Sequence, residues 1–312
     1  MATVLEFDTL IIGGGLAGLQ AAIQLGRSLH HVAVADNGVG RSTIAKNYRN
    51  ILGYPDGVSG QQLRSLGEQQ ARQFGVSFFS GTVNSLTQNE DGRFRAELTG
   101  LDQEPVEFLA KTILLSSGIK DPFPTIQGMD PCLGESIFIC PDCDGYEIVN
   151  QHALVIGSGN HAVQMAKTLR YFTKTITIVN HDGAKVGEPE QAYLVQEAIP
   201  IHHEPIVQIE QEEGRLKRVE LASGIGIAVE KGFLAFPGAK LQTSLLAGFD
   251  LQRLDTGHIL ANPRTKETTY RNIWAAGDVV AHSQQVTISL GDGSQAAIWI
   301  HKRLLEMAKG NG

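Results

Sequence analysis

The amino-acid sequence predicts an α/β fold made of two Rossmann-like, three-layer ββα nucleotide-binding domains, the second inserted into the first. Three observations predict it. A strand, glycine turn and helix occur twice; residues of alternating polarity follow the first copy; and a further strand and an amphipathic helix close the chain after the second. At 312 residues the chain is long enough for two domains of about 100 to 200 residues and for a large buried ligand.

The first copy reads "FDTLIIGGGLAGLQAAIQLGR" and the second "QHALVIGSGNHAVQMAKTLR". In the first, Gly13-x-Gly15-x-x-Gly18 follows the apolar strand "TLII" directly. Glycine there permits a tight turn, lets backbone N–H groups approach a pyrophosphate, and lets the helix pack close to its strand. The helix N-terminus adds a field favourable to phosphate. The strand "HVAVAD" then ends in Asp36, a carboxylate placed to accept hydrogen bonds from a ribose.

"GVSFFSGTVNSLTQNEDGRFRAEL" alternates apolar and polar residues around Asp91-Gly92, which predicts antiparallel strands inserted on the first sheet. "KTILLSSGI" returns as a buried strand ending in Gly118, and "KDPFP" is a proline-stiffened linker. The second unit carries strands at "ALVIGSG", "TITIVNH" and "GFLAFPG". "RNIWAAGDVV" makes another strand ending in Gly277-Asp278, and "GSQAAIWIHKRLLEMA" is an amphipathic closing helix. The expected first domain is therefore discontinuous, 1–120 with 238–312, around an inserted domain at 121–237.

A formal charge of −7, with lysine and arginine scattered, argues against a nucleic-acid partner. The start "MATVLEFDTLIIGGG" has no basic region followed by a long apolar core, and no apolar run approaches about 18 residues. A soluble, cytoplasmic protein without a membrane segment is expected.

Cys140 and Cys143 form a Cys-x-x-Cys followed at once by Asp144. A metal site would need two more ligands at a compatible spacing, and no second Cys-x-x-Cys or His pair supplies them; no metal is expected. A structural staple is poorly served by so short a loop. Thiol–disulfide exchange, which needs an attacking thiolate and a resolving thiol nearby, is the best reading of the pair. Asp144 is placed to shuttle the proton. The third cysteine, Cys132, reads as a small buried apolar residue.

Four segments, "IIGGGLAGLQAA", "ILGYPDGVSGQQL", "CPDCDGYE" and "IWAAGDVVAHSQQVTISLGDGSQAA", together resemble the low-molecular-weight thioredoxin reductases. The resemblance implies a homodimeric flavoprotein with FAD on the first unit, its ADP half held by Gly13, Gly15, Gly18 and Asp36. It implies Gly277 and Asp278 at the ribitol chain, with Asn50, Gln285 and Val286 beside the flavin. It also implies Cys143 facing the flavin, Cys140 attacking the disulfide of a thioredoxin-like protein or small molecule, and Asp144 as acid or base.

The second unit departs from that family's pattern. Its fingerprint, Gly157-x-Gly159-x-x-Ala162, still suits a dinucleotide, but the next strand ends in Asn180, His181 and Asp182 where NADPH-dependent relatives carry a basic cluster. A 2′-phosphate needs cationic, bidentate partners, and Asp182 would repel it. "FLAFPGAKLQTSLL" lacks the family's Gly-x-x-Pro-Asn, and Gln284 stands where the family has arginine.

NADPH is therefore not expected as donor. Asp182 reading a free ribose would give NADH dependence. Loss of the pyridine-nucleotide site, favoured here, would place the chain with relatives linked to ferredoxin or holding a second FAD. The expected activity is an FAD-dependent thiol–disulfide oxidoreductase. An NAD(P)H-dependent thioredoxin reductase, a dithiol oxidase and a flavin redox sensor without turnover remain as alternatives.

Overall fold

The computed structural model describes residues 4–100 and 105–310. The chain divides into two compact units, one of Met1–Thr43, Ile51–Lys120 and Lys240–Gly312, the other of Ile44–Asn50 and Asp121–Ala239. Ile44–Asn50 thus groups with the second unit, although the sequence places this segment in the first domain.

The chain opens unit 1 with β1 (Val4–Ile12), α1 (Leu16–Arg27) and β2 (Val32–Asp36). The short α2 (Arg41–Ile44) and the longer α3 (Gly60–Gln73) follow. Ser59 caps α3 by accepting the Gln62 N–H at 3.0 Å, so the helix starts where the serine stands. β3 (Ser77–Ser80), β4 (Thr82–Gln88), β5 (Phe94–Thr99) and β6 (Val106–Leu115) extend the sheet, and β7 (Ile119–Lys120) leaves it.

In unit 2, β8 (Ile137–Phe138) leads into the single turn α4 (Pro141–Asp144). β9 (Ala153–Gly157), α5 (Gly159–Leu169), β10 (Ile176–Asn180), α6 (Glu188–Gln196) and β11 (Ile201–His202) repeat the strand–helix alternation. An antiparallel trio, β12 (Ile206–Glu212), β13 (Arg215–Leu221) and β14 (Gly226–Ala228), precedes β15 (Lys231–Ala235). The chain re-enters unit 1 at β16 (Lys240–Leu241), which pairs antiparallel with β7, then adds β17 (Ile273–Ala275) and α7 (Val286–Gly310).

The sheet of unit 1 runs β3-β2-β1-β6-β5-β4, with β17 also paired to β6. β6 joins the two halves: Val106–Ala110 pairs antiparallel with β5, and Ile113–Leu115 pairs parallel with β17. Alternation in the sequence groups Ser77–Ser80 with the antiparallel strands, whereas β3 is a parallel edge strand on β2. The five-stranded sheet of unit 2, β11-β10-β9-β15-β8, is wholly parallel.

Parallel strands covered on both faces read as continuous apolar runs, and "TLII" and "ALVI" are such runs. In unit 1, Leu10 and Ile12 face one core with Phe94 and Phe108, while Ile11 faces the other with Trp274 and Ile300. Unit 2 repeats the arrangement, Val155 on one side and Leu154 and Ile156 on the other. Cys132 is fully buried in that second core.

α7 begins at Val286, earlier than the apolar period beginning at Gly293 suggests. Gly291 and Gly293 weaken the helical signal, but Gly293 is required where α7 crosses α1: a Cβ there would strike the Ala17 carbonyl.

Candidate functional site

In unit 1 the strand β1 ends in a glycine turn whose residues do different jobs. Gly13 has φ 104°, and a Cβ on it would lie 2.5 Å from the Ser116 carbonyl oxygen. A Cβ on Gly18 would strike the Gly13 carbonyl, so this glycine permits α1 to lie close over its strand. Gly15, the N-cap of α1, has ordinary extended angles, φ −71° and ψ −174°, and its missing Cβ would approach only the Ser116 carbonyl, at 3.9 Å. Space is kept in front of Gly15 that the folded chain does not itself require, as close approach of a pyrophosphate would demand.

Asp36, at the end of β2, accepts the Gly14 N–H at 3.0 Å and the Gly38 N–H at 3.2 Å. It also pairs with Arg64 of α3, Nη2 to Oδ2 at 2.5 Å. Two carboxylate oxygens offer about four acceptor positions, so one is left for a ribose hydroxyl. Arg64 carries no motif and was not legible as part of the site.

Gly277 and Asp278 form a 3-10 turn after β17. Asp278 Oδ2 accepts from Arg41 Nη1 at 3.1 Å, and the same nitrogen donates to Gln284 Oε1 at 2.5 Å. An arginine therefore does reach the neighbourhood of Gln284, supplied by α2. Gln285 and Val286, both half-buried, stand at the start of α7. The structure thus brings Gly13, Gly15, Gly18, Asp36, Gly277, Asp278, Gln285 and Val286 into unit 1; Asn50, exposed, belongs to unit 2.

In unit 2, β8 delivers Cys140 to the start of α4, where Pro141 fits the first helical position. Cys140 and Cys143 form a disulfide, and Cys140 Sγ accepts the Cys143 N–H at 3.2 Å. The chain after the pair is pressed against a ring: Gly145 packs on Phe172 with no room for a Cβ.

Asp144 lies beside the disulfide with its carboxyl pushed up to about 6. Burial is the main cause and Glu147 adds to it, while Arg49 and Lys231 oppose. Arg49 is itself paired to Glu147 at 3.0 Å. A carboxyl titrating near neutrality can both give and take a proton. Asp144→Asn is accordingly expected to slow thiol–disulfide exchange by roughly 10²-fold and to remove a break near pH 6 from its stopped-flow pH profile. A break that persists in the variant would discard this role.

The glycine turn of β9 and α5 matches that of β1 and α1 in sequence but not in surroundings. Strand registers Ile12↔Ala35 and Ile156↔Val179 make Asn180 the counterpart of Asp36; Asp182 lies two residues beyond the strand. Asn180 is fully buried. Its Oδ1 accepts the Gly159 N–H at 2.8 Å, and its Nδ2 donates to the Ala184 carbonyl at 2.7 Å and to His203 Nδ1 at 2.9 Å. Asp182 accepts the Ala184 N–H at 3.1 Å, and Asn160 accepts the Gly187 N–H at 2.7 Å. The segment Asp182–Gly187 thereby folds over the turn. A Cβ on Gly159 would meet the Lys185 carbonyl oxygen at 2.8 Å, where one on Gly15 would meet only the Ser116 carbonyl oxygen, at 3.9 Å. Gly157 is tightly enclosed, its Cβ position 2.6 Å from the Ala235 carbonyl oxygen.

Among the described residues no cluster of three or more His, Cys, Asp or Glu could hold a metal ion, and no helix is long and apolar enough to cross a membrane.

Residues 7–293 match the family model described as pyridine nucleotide-disulphide oxidoreductase. The chain is 27% identical to a thioredoxin reductase of Aquifex aeolicus (strain VF5), covering 96% of this chain and 93% of that protein. Among solved structures it resembles a putative thioredoxin reductase, TrxB, from Bacillus anthracis, with TM-score 0.82 and 26% identity over 96% of this chain and 99% of that one. The thioredoxin reductase of Streptococcus pyogenes MGAS5005 is similar at TM-score 0.82 and 25% identity, covering 97% and 99%.

Proposed function

Because the chain belongs to the pyridine nucleotide-disulphide oxidoreductase family, and resembles thioredoxin reductases over nearly its whole length, we infer that it is an FAD-dependent thiol–disulfide oxidoreductase whose electron donor is not NADPH. Its disulfide Cys140–Cys143 passes electrons to a thioredoxin-like disulfide. The observation that carries the donor reading is the contrast between the two glycine turns, open at Gly15 and filled by the chain's own Asp182–Gly187 segment at Gly159.

The residues of unit 1 fit a flavin dinucleotide. Gly15 and the α1 N-terminus would take the pyrophosphate, Asp36 a ribose, and Asp278 the ribitol region. Bound there, FAD would supply two-electron transfer, a chemistry that no side chain here provides.

The chain's own residues perform the exchange. Two electrons and two protons open the Cys140–Cys143 disulfide to a dithiol. The Cys140 thiolate attacks one sulfur of the partner disulfide and expels the other, forming a mixed disulfide. Cys143 then attacks Cys140 Sγ, releasing the partner as a dithiol and restoring the internal disulfide. Asp144 takes the proton that Cys143 loses and returns it to the leaving sulfur.

NADH is disfavoured together with NADPH, because the strand-end position that reads a ribose is an asparagine with both ends of its carboxamide engaged. A reduced ferredoxin is the donor class that needs no nucleotide site in unit 2. Anaerobic titration of the oxidised protein tests this directly: reduced ferredoxin is expected to bleach the flavin absorbance fully, with NADPH and NADH slower by more than roughly 10³-fold. Rapid stoichiometric bleaching by NADPH would overturn the donor reading and restore an ordinary NADPH-dependent thioredoxin reductase.

A further inference from the structure

The loop that carries Asp278 is bonded at both ends to a single oxygen atom. Asp292, buried in α7, accepts the Gly277 N–H on Oδ2 at 3.1 Å and the His282 Nε2–H on the same oxygen at 2.5 Å. Its other oxygen, Oδ1, receives Lys266 Nζ at 2.7 Å. One carboxylate therefore closes residues 277–282 like a ring and anchors that ring to a third segment.

Lys266 is held in place from several directions. Its N–H donates to the Asn262 carbonyl at 2.8 Å, and its own carbonyl accepts the Ala275 N–H of β17 at 3.1 Å. It is buried, and its backbone is left-handed with φ 61°. A buried ammonium and a left-handed non-glycine residue each carry a cost, and both persist only where surrounding structure fixes them.

His282 is a cation in this arrangement. Its Nδ1 lies 2.8 Å from the Ser283 carbonyl oxygen, which can only accept, and its Nε2 faces the Asp292 carboxylate. Both ring nitrogens must then carry hydrogen. The hydrogen bond to Asp292 raises the His282 pKa, against burial and the Lys266 charge, which lower it. Burial would raise Asp292, but hydrogen bonds from His282 and Lys266 hold it below the usual carboxylate range. Among the described residues the charged groups acting on His282 are Asp292 of α7 and Lys266 of the 262–267 turn.

We propose that Asp292, Lys266 and the His282 imidazolium form a clasp that positions the 277–282 loop, and with it Asp278, so that the strength of flavin binding depends on groups that do not touch the flavin. The proposal rests on the reading of unit 1 as the flavin site. These are positioning residues, acting through Gly277 and Asp278. Because the bonded form of His282 is the protonated one and its folded pKa is raised, the clasp is complete at low pH and is lost as pH rises through that pKa.

The test is the FAD dissociation constant of apoprotein, read by flavin fluorescence between about pH 6 and pH 9, with the thermal midpoint of each apoprotein measured alongside. H282Q keeps one donor and removes the charge; D292N keeps the shape and removes the anion. Each is expected to weaken FAD binding at low pH by about tenfold, the scale of one charge-assisted hydrogen bond. Wild type is expected to weaken by a similar factor as pH rises, and H282Q to show no such step.

Dissociation constants within about threefold of wild type, a pH step that survives in H282Q, or loss of thermal midpoint without loss of affinity would each overturn the clasp. If wild-type apoprotein takes up no FAD at any pH, the flavoprotein reading itself fails and the proposal falls with it. Stoichiometric uptake by wild type with unaltered variants rejects the clasp alone.

Discussion

Cys140→Ser is expected to stop reduction of a thioredoxin-like disulfide, turnover falling by more than roughly 10³-fold, as befits removal of an essential nucleophile, while flavin content and thermal midpoint stay those of wild type. The expectation follows from the local geometry. Cys140 is the N-cap of α4 and is half-buried, so a serine of nearly the same shape can still accept the Cys143 N–H. The disulfide goes with the reactive sulfur, but a bridge across so short a loop contributes little to stability. Cys143→Ser differs in kind: Cys140 can still attack, but no thiol resolves the product, so a mixed disulfide with the partner accumulates. Non-reducing mass spectrometry distinguishes the two. A partner found attached to Cys143 in the Cys140→Ser protein would reverse the assigned roles.

Gly15→Val separates what the fold needs from what the ligand needs. At Gly15 the backbone angles suit any residue, and a side chain would point into space that the chain leaves open. The apoprotein is therefore expected to melt within about 2 °C of wild type, a change of about 1 kcal/mol for a chain of this size, and to lose FAD affinity by more than about 10²-fold because valine occupies the place of the pyrophosphate. Gly18→Val is the contrasting control, since its side chain would collide with the Gly13 carbonyl and destabilise the protein with or without ligand. Purification of Gly15→Val with a full complement of FAD would remove the dinucleotide from this turn.

The repeat was legible because each copy announces itself locally, with an apolar strand, a glycine turn and a helix of small residues in immediate succession. What sequence could not supply is the state of each turn. Gly159 and Gly15 are equivalent in the motif, yet one is covered by residues that follow the next strand, and that covering depends on where the strand ends. Asp182 looks like a strand-end acid in "TITIVNHD"; the register of β9 with β10 gives that place to Asn180. The antiparallel strands β12 and β13 occupy "VQIEQEEGRLKRVEL", whose alternation is that of such a pair around the Glu213-Gly214 turn.

Other parts of the site escape because they pair residues distant in the chain. Arg64 meets Asp36 from 28 positions away and Arg41 meets Asp278 from 237, and neither arginine belongs to a motif. Lys266 and Asp292 are individually unremarked charges in the sequence, and only burial makes their pairing obligatory. α7 shows the converse: a glycine that argues against helix locally is the one that its crossing with α1 demands.

The pairing of β7 with β16 bears on the ancestry of the chain. Lys120 and Lys240 stand opposite each other on antiparallel strands, so the polypeptide departs from unit 1 and comes back through one doorway. The host sheet pairs its own strands across that gap, with Ile113 beside Ile273 and Leu115 beside Ala275. A segment entering and leaving by adjacent strands can be gained, exchanged or lost as a block without rewriting the register of its host. Unit 2 is attached as a module, and the change of electron donor proposed above would fall within that module and leave the glycine turn of unit 1 as it is.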